Sequence, residues 1–254
     1  MHLPPLVRLF ACAILLAVLE PGCARSSPPV PPATDGEREA LIQEVSVHRI
    51  ASTLFAPVYP ALARQVVEDY GITQGVAVDV GGSAGYLAIA LARITDLTVY
   101  VLDIDPSAVA LGALLARDAG LARRVRPVQG DAQDMPFRDD FADLVVSRGS
   151  IFFWADPRQG LREVYRILKP GGVAWVGGGF SRVLAREDPA TYASLVDWRD
   201  NTGEALQLRS GWKPLPPDLE GWARAEGLGE VRLERGPGPG MWVEIRKPGS
   251  PPCP

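Results

Sequence analysis

The chain has 254 residues, 47% of them hydrophobic, and a formal net charge of −4, a composition that allows one sizeable core. With 26 Lys and Arg set against 30 Asp and Glu and no basic cluster, the charge pattern excludes a nucleic-acid footprint. Three cysteines (Cys12, Cys23, Cys253) and two histidines (His2, His48) support neither a disulfide framework nor a Cys/His metal site, so no metal is expected.

Arg8 precedes the apolar run LFACAILLAVL, Leu9 to Leu19, whose 11 residues fit the apolar stretch of a signal peptide and fall short of a membrane span. The following LEPGC places Cys23 after a small residue, as in a bacterial lipoprotein signal, although Glu20 and Pro21 depart from that pattern. Residues 1–25 therefore read as an exported or membrane-tethering segment, and tethering is expected through this segment alone. A mis-assigned start and a cytoplasmic protein form the alternative. Residues 26–36, with SSPPVPP, read as an extended linker, residues 37–248 as the folded domain and residues 249–254 as a frayed tail.

Residues 37 to 70 suggest two helices. Beyond them, short β-branched runs alternate with helical stretches: GVAVDV (75–80), LTVYVLDI (97–104), RVRPVQG (124–130), FADLVVS (141–147) and GVAWVGG (172–178). Alternation of this kind calls for a Rossmann-like α/β fold, a doubly wound, mostly parallel sheet with helices on both faces. Asp105–Pro106 and Asp156–Pro157 each supply an N-cap and a first-turn proline, and Leu161, Val164, Tyr165 and Leu168 give the second of these helices one apolar face. A final helix is expected from about Pro217 to Glu226, then a hairpin of Glu230–Glu234 and Met241–Arg246.

The stretch VAVDVGGSAGYLAIALAR (76–93) runs from a strand through a glycine cluster into a helix. Such a turn is expected to offer free backbone N–H groups and a helix N-terminus at the carboxyl edge of the sheet, where doubly wound folds bind ligands. No frame of GGSAG gives the Gly-x-Gly-x-x-Gly dinucleotide fingerprint, which disfavours an NAD(P)-dependent oxidoreductase. Glycines also serve tight turns without any ligand. Asp103, 22 residues beyond Gly81, ends the second strand, where a carboxylate can accept from both hydroxyls of a ribose.

Five motifs stand in order: DVGGSAG, DIDP, GDAQDMPF, FADLVVS and LKPGG. Over roughly residues 50–180 the chain resembles the class I S-adenosylmethionine-dependent methyltransferases. The resemblance implies a seven-stranded sheet with an antiparallel last strand, S-adenosylmethionine as cofactor and a small-molecule methyl acceptor. Carried over by position, it implies that Asp79 and the backbone of Gly81 face the methionine part, with Gly82 and Ser83 completing the turn and Gly85 letting the helix pack closely. It further implies that Asp103 holds the ribose hydroxyls, Ile104 lies against the adenine, Asp131 and the Ala132 N–H meet the adenine edge, and Ser147 lies beside the sulfonium. Ser83 replaces the middle glycine of the motif, so a positive φ there would strain it. Asp105 and Asp156 read as helix caps, and Asp139, Asp140 and Asp143 as turn residues.

A sulfonium methyl is already activated, so positioning and water exclusion suffice, and no catalytic residue is assigned. Phe152, Phe153 and Trp154 could wall an apolar acceptor pocket or simply cover the sheet edge, and Tyr59 is placed near the cofactor by the same resemblance. Residues 181–216, with Trp198 and Trp212, could cover the acceptor site or form one helix packed on the sheet. A protein of this shape that binds the cofactor without turnover is the remaining alternative.

Overall fold

The computed structural model describes residues 34–45, 48–235 and 240–249. The expected leader, the linker up to residue 33, all three cysteines and residues 250–254 lie outside the described residues. Among the described residues no helix is long and apolar enough to cross a membrane.

Three helices, not two, precede the sheet: α1 (Asp35–Glu44), α2 (His48–Ser52) and α3 (Val58–Tyr70). Order begins earlier than the linker reading allowed because Thr34 and Glu37 form a capping box, the Thr34 hydroxyl accepting from the Glu37 N–H and the Glu37 carboxylate accepting from the Thr34 N–H. The doubly wound unit follows as β1 (Val76–Val80), α4 (Tyr86–Ile94), β2 (Thr98–Asp103), α5 (Pro106–Asp118), β3 (Val125–Gln129), β4 (Ala142–Arg148), α6 (Pro157–Ile167) and β5 (Leu168–Gly178). Then come α7 (Arg182–Glu187), α8 (Pro189–Asn201), α9 (Gly203–Arg209), α10 (Leu219–Ala225), β6 (Glu230–Arg235) and β7 (Met241–Arg246).

The seven strands lie in the order β3-β2-β1-β4-β5-β7-β6. β7 runs antiparallel to both of its neighbours, and the other strands share one direction. Strands β1 and β4 are buried on both faces, as their unbroken Val/Ala/Leu runs require of a sheet covered on each side. One core cluster packs α3, α4 and α7 against Leu144, Val146 and Trp175. The other packs α6 and α10 against Val78, Val145, Ala174 and Val243. Burying each such aliphatic side chain contributes about 1.5–3 kcal/mol, so neither layer is dispensable.

Asp105 and Asp156 cap α5 and α6 as expected, accepting from Ser107 N–H and from Arg158 and Gln159 N–H. The three aspartates read as turn residues do more than face water, and Asp143 lies within β4, not in a turn. Asp143 accepts from the Val76 N–H and pairs with Lys169, tying β1 to β4 and β5, while Asp139 pairs with Arg166 and Asp140 with Lys247. Leu168, expected on the apolar face of α6, instead begins β5, and the Lys-Pro-Gly-Gly stretch enters the strand as an irregularity in the register, Ala142 pairing with Leu168 and Leu144 with Val173.

Candidate active site

The strand order reverses between β1 and β4, and at that carboxyl edge lies a cavity of about 890 Å³. The glycine turn forms one wall, with φ of +64° at Gly81, +49° at Ser83 and +80° at Gly85. The protein's own side chains crowd the backbone of this turn. A Cβ on Gly81 would stand 2.2 Å from the Ser150 Cβ, and one on Gly82 would stand 2.7 Å from the Asp79 carboxylate and 2.8 Å from Val101.

Four of the turn's five amides, those of Gly81, Gly82, Ser83 and Gly85, are engaged within the protein, contrary to the expectation of free donors there. The Leu102 carbonyl accepts from Gly81 N–H (2.7 Å) and Gly82 N–H (3.2 Å), the Gly82 carbonyl accepts from Gly85 N–H (2.9 Å), and the Asp103 carboxylate accepts from Ser83 N–H (2.7 Å). The end of β2 takes up three of these donors, through the Leu102 carbonyl and the Asp103 carboxylate.

Of the residues singled out from sequence, Asp79, Gly81, Gly82, Ser83, Asp103, Ile104, Asp131 and Ala132 line this one cavity. Gly85 does not. It caps α4, and a Cβ there would sit 3.2 Å from Val101, consistent with close helix packing. Ser147 is fully buried behind the wall, 2.7 Å from the Ser150 hydroxyl, and it is Ser150 that faces the cavity.

Asp79 carries the clearest electrostatic signature. It is 1% exposed, its Oδ2 has no hydrogen-bond partner, and burial pushes its pKa up to about 7, with a backbone N–H from Ala88 pulling the other way and Asp103 adding to the rise. A buried carboxylate with an unmet acceptor in a cavity wall fits a cationic group such as an amino-acid ammonium. Asp103 accepts from Ser83 N–H through Oδ2 and from Asp105 N–H through Oδ1, each oxygen keeping a lone pair for a hydroxyl. Burial raises its pKa as well, against those backbone donors. Ile104 is 68% exposed at the rim, an apolar face open to a planar ring. Asp131 is held in place by Gln133, whose N–H donates to it at 2.9 Å. The residues present therefore fit an adenosine carrying a charged amino-acid tail.

The remaining wall is aromatic. Phe152, Phe153 and Trp154 follow β4 and line the cavity, and Trp212 stacks on Phe152 with centroids 4.4 Å apart. The Lys213 N–H donates to the Phe152 carbonyl at 2.8 Å, fixing the segment after α9 onto that ring. Residues 181–216 are thus three short helices and a strap, with Trp198, Leu208 and Trp212 among the cavity lining. Tyr59 lines the cavity and stacks on Tyr86 at 5.3 Å. Sequence reasoning missed Arg148, Phe55 and Phe180, which meet at the end of β4; a lone arginine ending an apolar strand was the one available signal.

Residues 78–176 match the family model described as "Methyltransferase domain". A solved structure from Methanococcus maripaludis, described as a candidate S-adenosyl-L-methionine-dependent methyltransferase, superposes with a TM-score of 0.65 at 30% identity, over 87% of this chain and 98% of that one. The chain belongs to the S-adenosylmethionine-dependent methyltransferases. Two further family members are the uncharacterized methyltransferase YdaC of Bacillus subtilis, 31% identical over 127 residues (49% of this chain, 68% of YdaC), and the chloroplastic 2-methyl-6-phytyl-1,4-hydroquinone methyltransferase of spinach. The spinach protein is 40% identical over 104 residues, 41% of this chain and 29% of its own length, so the likeness spans under a third of that relative. The family match runs from β1 into β5 and includes the glycine turn, Asp79, Asp103 and Asp131. Helices α1–α3 and α7–α10 fall outside it.

Proposed function

We propose that the protein transfers the methyl group of S-adenosylmethionine to a small acceptor with an apolar, ring-sized body. The observation that supports this most is the buried Asp79 carboxylate, its Oδ2 unmet, in the wall of the same cavity as Asp103, Ile104 and the aromatic side chains. Asp79 takes the ammonium of the cofactor's methionine part, Asp103 the ribose hydroxyls, Ile104 a face of the adenine, and Asp131 with the Ala132 N–H its polar edge. When bound, the cofactor supplies an electrophilic methyl on a sulfonium. Phe152, Trp154 and Tyr59 hold the acceptor against it and exclude water, and in-line placement carries the acceleration without a dedicated acid or base.

The acceptor class draws on the spinach relative, whose hydroquinone substrate makes substituted hydroquinones and related hydroxylated rings the first acceptors to assay. Calorimetric titration with S-adenosylmethionine, S-adenosylhomocysteine and NAD tests the cofactor: the first two bind and NAD does not. Release of S-adenosylhomocysteine across an acceptor panel tests the transfer. Tight binding of NAD with none of S-adenosylhomocysteine would overturn the reading, whereas cofactor binding with no turnover across the panel would leave a cofactor-binding protein of this fold.

A further inference from the structure

We infer that Arg148 is an anion anchor in the acceptor half of the cavity, and that the acceptor is an aromatic acid whose carboxylate docks on its guanidinium. The inference rests on the methyl-transfer reading above and narrows its substrate class.

Arg148 is the last residue of β4 and lines the cavity. Three rings box it: its Cζ lies 4.5 Å from the centroid of Phe55, 5.5 Å from Tyr59 and 5.9 Å from Phe180. Ring faces attract a cation but accept no strong hydrogen bond. Its Nε donates to the Gly179 carbonyl at 3.3 Å, and the Tyr59 hydroxyl is its other partner. Among the described residues no carboxylate pairs with it, and burial draws its pKa down. Arginine nonetheless keeps its proton in proteins, so a full charge stands here with most of its N–H fork uncommitted. A half-buried charge without a counter-ion favours a ligand that supplies one, and a planar fork is matched best by a planar, bidentate carboxylate.

Two observations place that carboxylate on the acceptor and not on the cofactor. Phe55 and Phe180 lie outside the family match and join the cover, Phe55 meeting Trp198 edge-on at 5.4 Å and Phe180 meeting Tyr192 at 6.2 Å. The charges of the cavity are also divided along the sheet. Asp79, Asp103 and Asp131 stand at or just beyond the ends of β1, β2 and β3, whereas Arg148 ends β4 and Arg209 comes from α9. A molecule reaching from the glycine turn to the cover passes from acidic to basic surroundings, and its anionic group belongs at the basic end.

The test uses the full chain and two probes of nearly equal shape, 2-naphthoate and 2-naphthamide, titrated into protein already saturated with S-adenosylhomocysteine. The wild type is expected to bind naphthoate at least about tenfold more tightly than the amide, the value of one hydrogen bond to a charged group. Arg148→Met should abolish that preference and Arg148→Lys retain part of it, with S-adenosylhomocysteine affinity within about threefold of wild type in both. Equal binding of the two probes by the wild type, or binding of neither, overturns the inference, and this comparison stands even if a variant fails to fold. Arg148→Met that weakens S-adenosylhomocysteine tenfold and keeps the naphthoate preference overturns it too, giving Arg148 to the cofactor's own carboxylate. If the wild type never binds S-adenosylhomocysteine, it is the methyl-transfer reading that fails, a result seen before either probe is added.

Discussion

The Asp103 carboxylate accepts the backbone N–H of Ser83 at 2.7 Å, so the side chain assigned to the ribose also holds the turn that faces it. Asp103→Ala removes both roles. Binding of S-adenosylhomocysteine should weaken at least tenfold, and the fold should lose about 1–3 kcal/mol because the Ser83 and Asp105 amides lose a charged acceptor. Calorimetry and chemical denaturation read the two effects separately. Unchanged affinity would remove Asp103 from the cofactor site.

Ser83 sits at φ +49°, a left-handed conformation that costs a non-glycine residue on the order of 1–2 kcal/mol. Glycine relieves that strain and adds about 0.5–1 kcal/mol of chain entropy to be lost on folding. Ser83→Gly should therefore stabilise by about 0.5 kcal/mol without weakening S-adenosylhomocysteine binding, measured by denaturant midpoint and calorimetry. A destabilised variant would mean that the serine hydroxyl holds the turn.

Asp79 sets a pH dependence. Its carboxyl keeps its proton up to about pH 7 in the fold but releases it near 3.8 when unfolded, so the folded state holds the extra proton between those values. The ligand-free protein gains this stability below pH 3.8 and loses it as pH rises through 7, by up to about 4 kcal/mol. Asp79→Asn, compared with wild type from pH 5 to 8, should flatten that slope. The ammonium of S-adenosylhomocysteine prefers the ionised carboxylate, so wild-type affinity should rise with pH across 7 and the variant's should not.

Gly81→Ala would place a methyl 2.2 Å from the Ser150 Cβ, at φ +64°. Loss of more than about 2 kcal/mol is expected from overpacking and left-handed strain together. Ser150→Gly removes the clashing carbon, so the double variant should be more stable than the sum of the two single effects. Strict additivity in urea unfolding would show that the two residues do not touch.

The parallel strands were legible because β-branched runs fall between helices with clear caps, as at Asp105 and Asp156. The α1 start escaped notice because a Thr34–Glu37 capping box follows a proline-rich stretch whose composition dominates the reading. At the site, Asp79, Asp103 and Asp131 converge because each stands at or just beyond the carboxyl end of a neighbouring strand. Ser147 could not be told from Ser150 by sequence: the alternation that puts one inside the wall and the other on it depends on how β4 ends. The rings around Arg148 come from before β1 and after β5, and no local pattern joins them.

The strand that follows all others in the chain, β7, lies between β5 and β6, and its Met241 lines the cavity together with Ile50 from α2. During synthesis the glycine turn and both of its carboxylates emerge long before that strand exists. The cavity lining is therefore complete only once β7, the last strand made, has paired with β5.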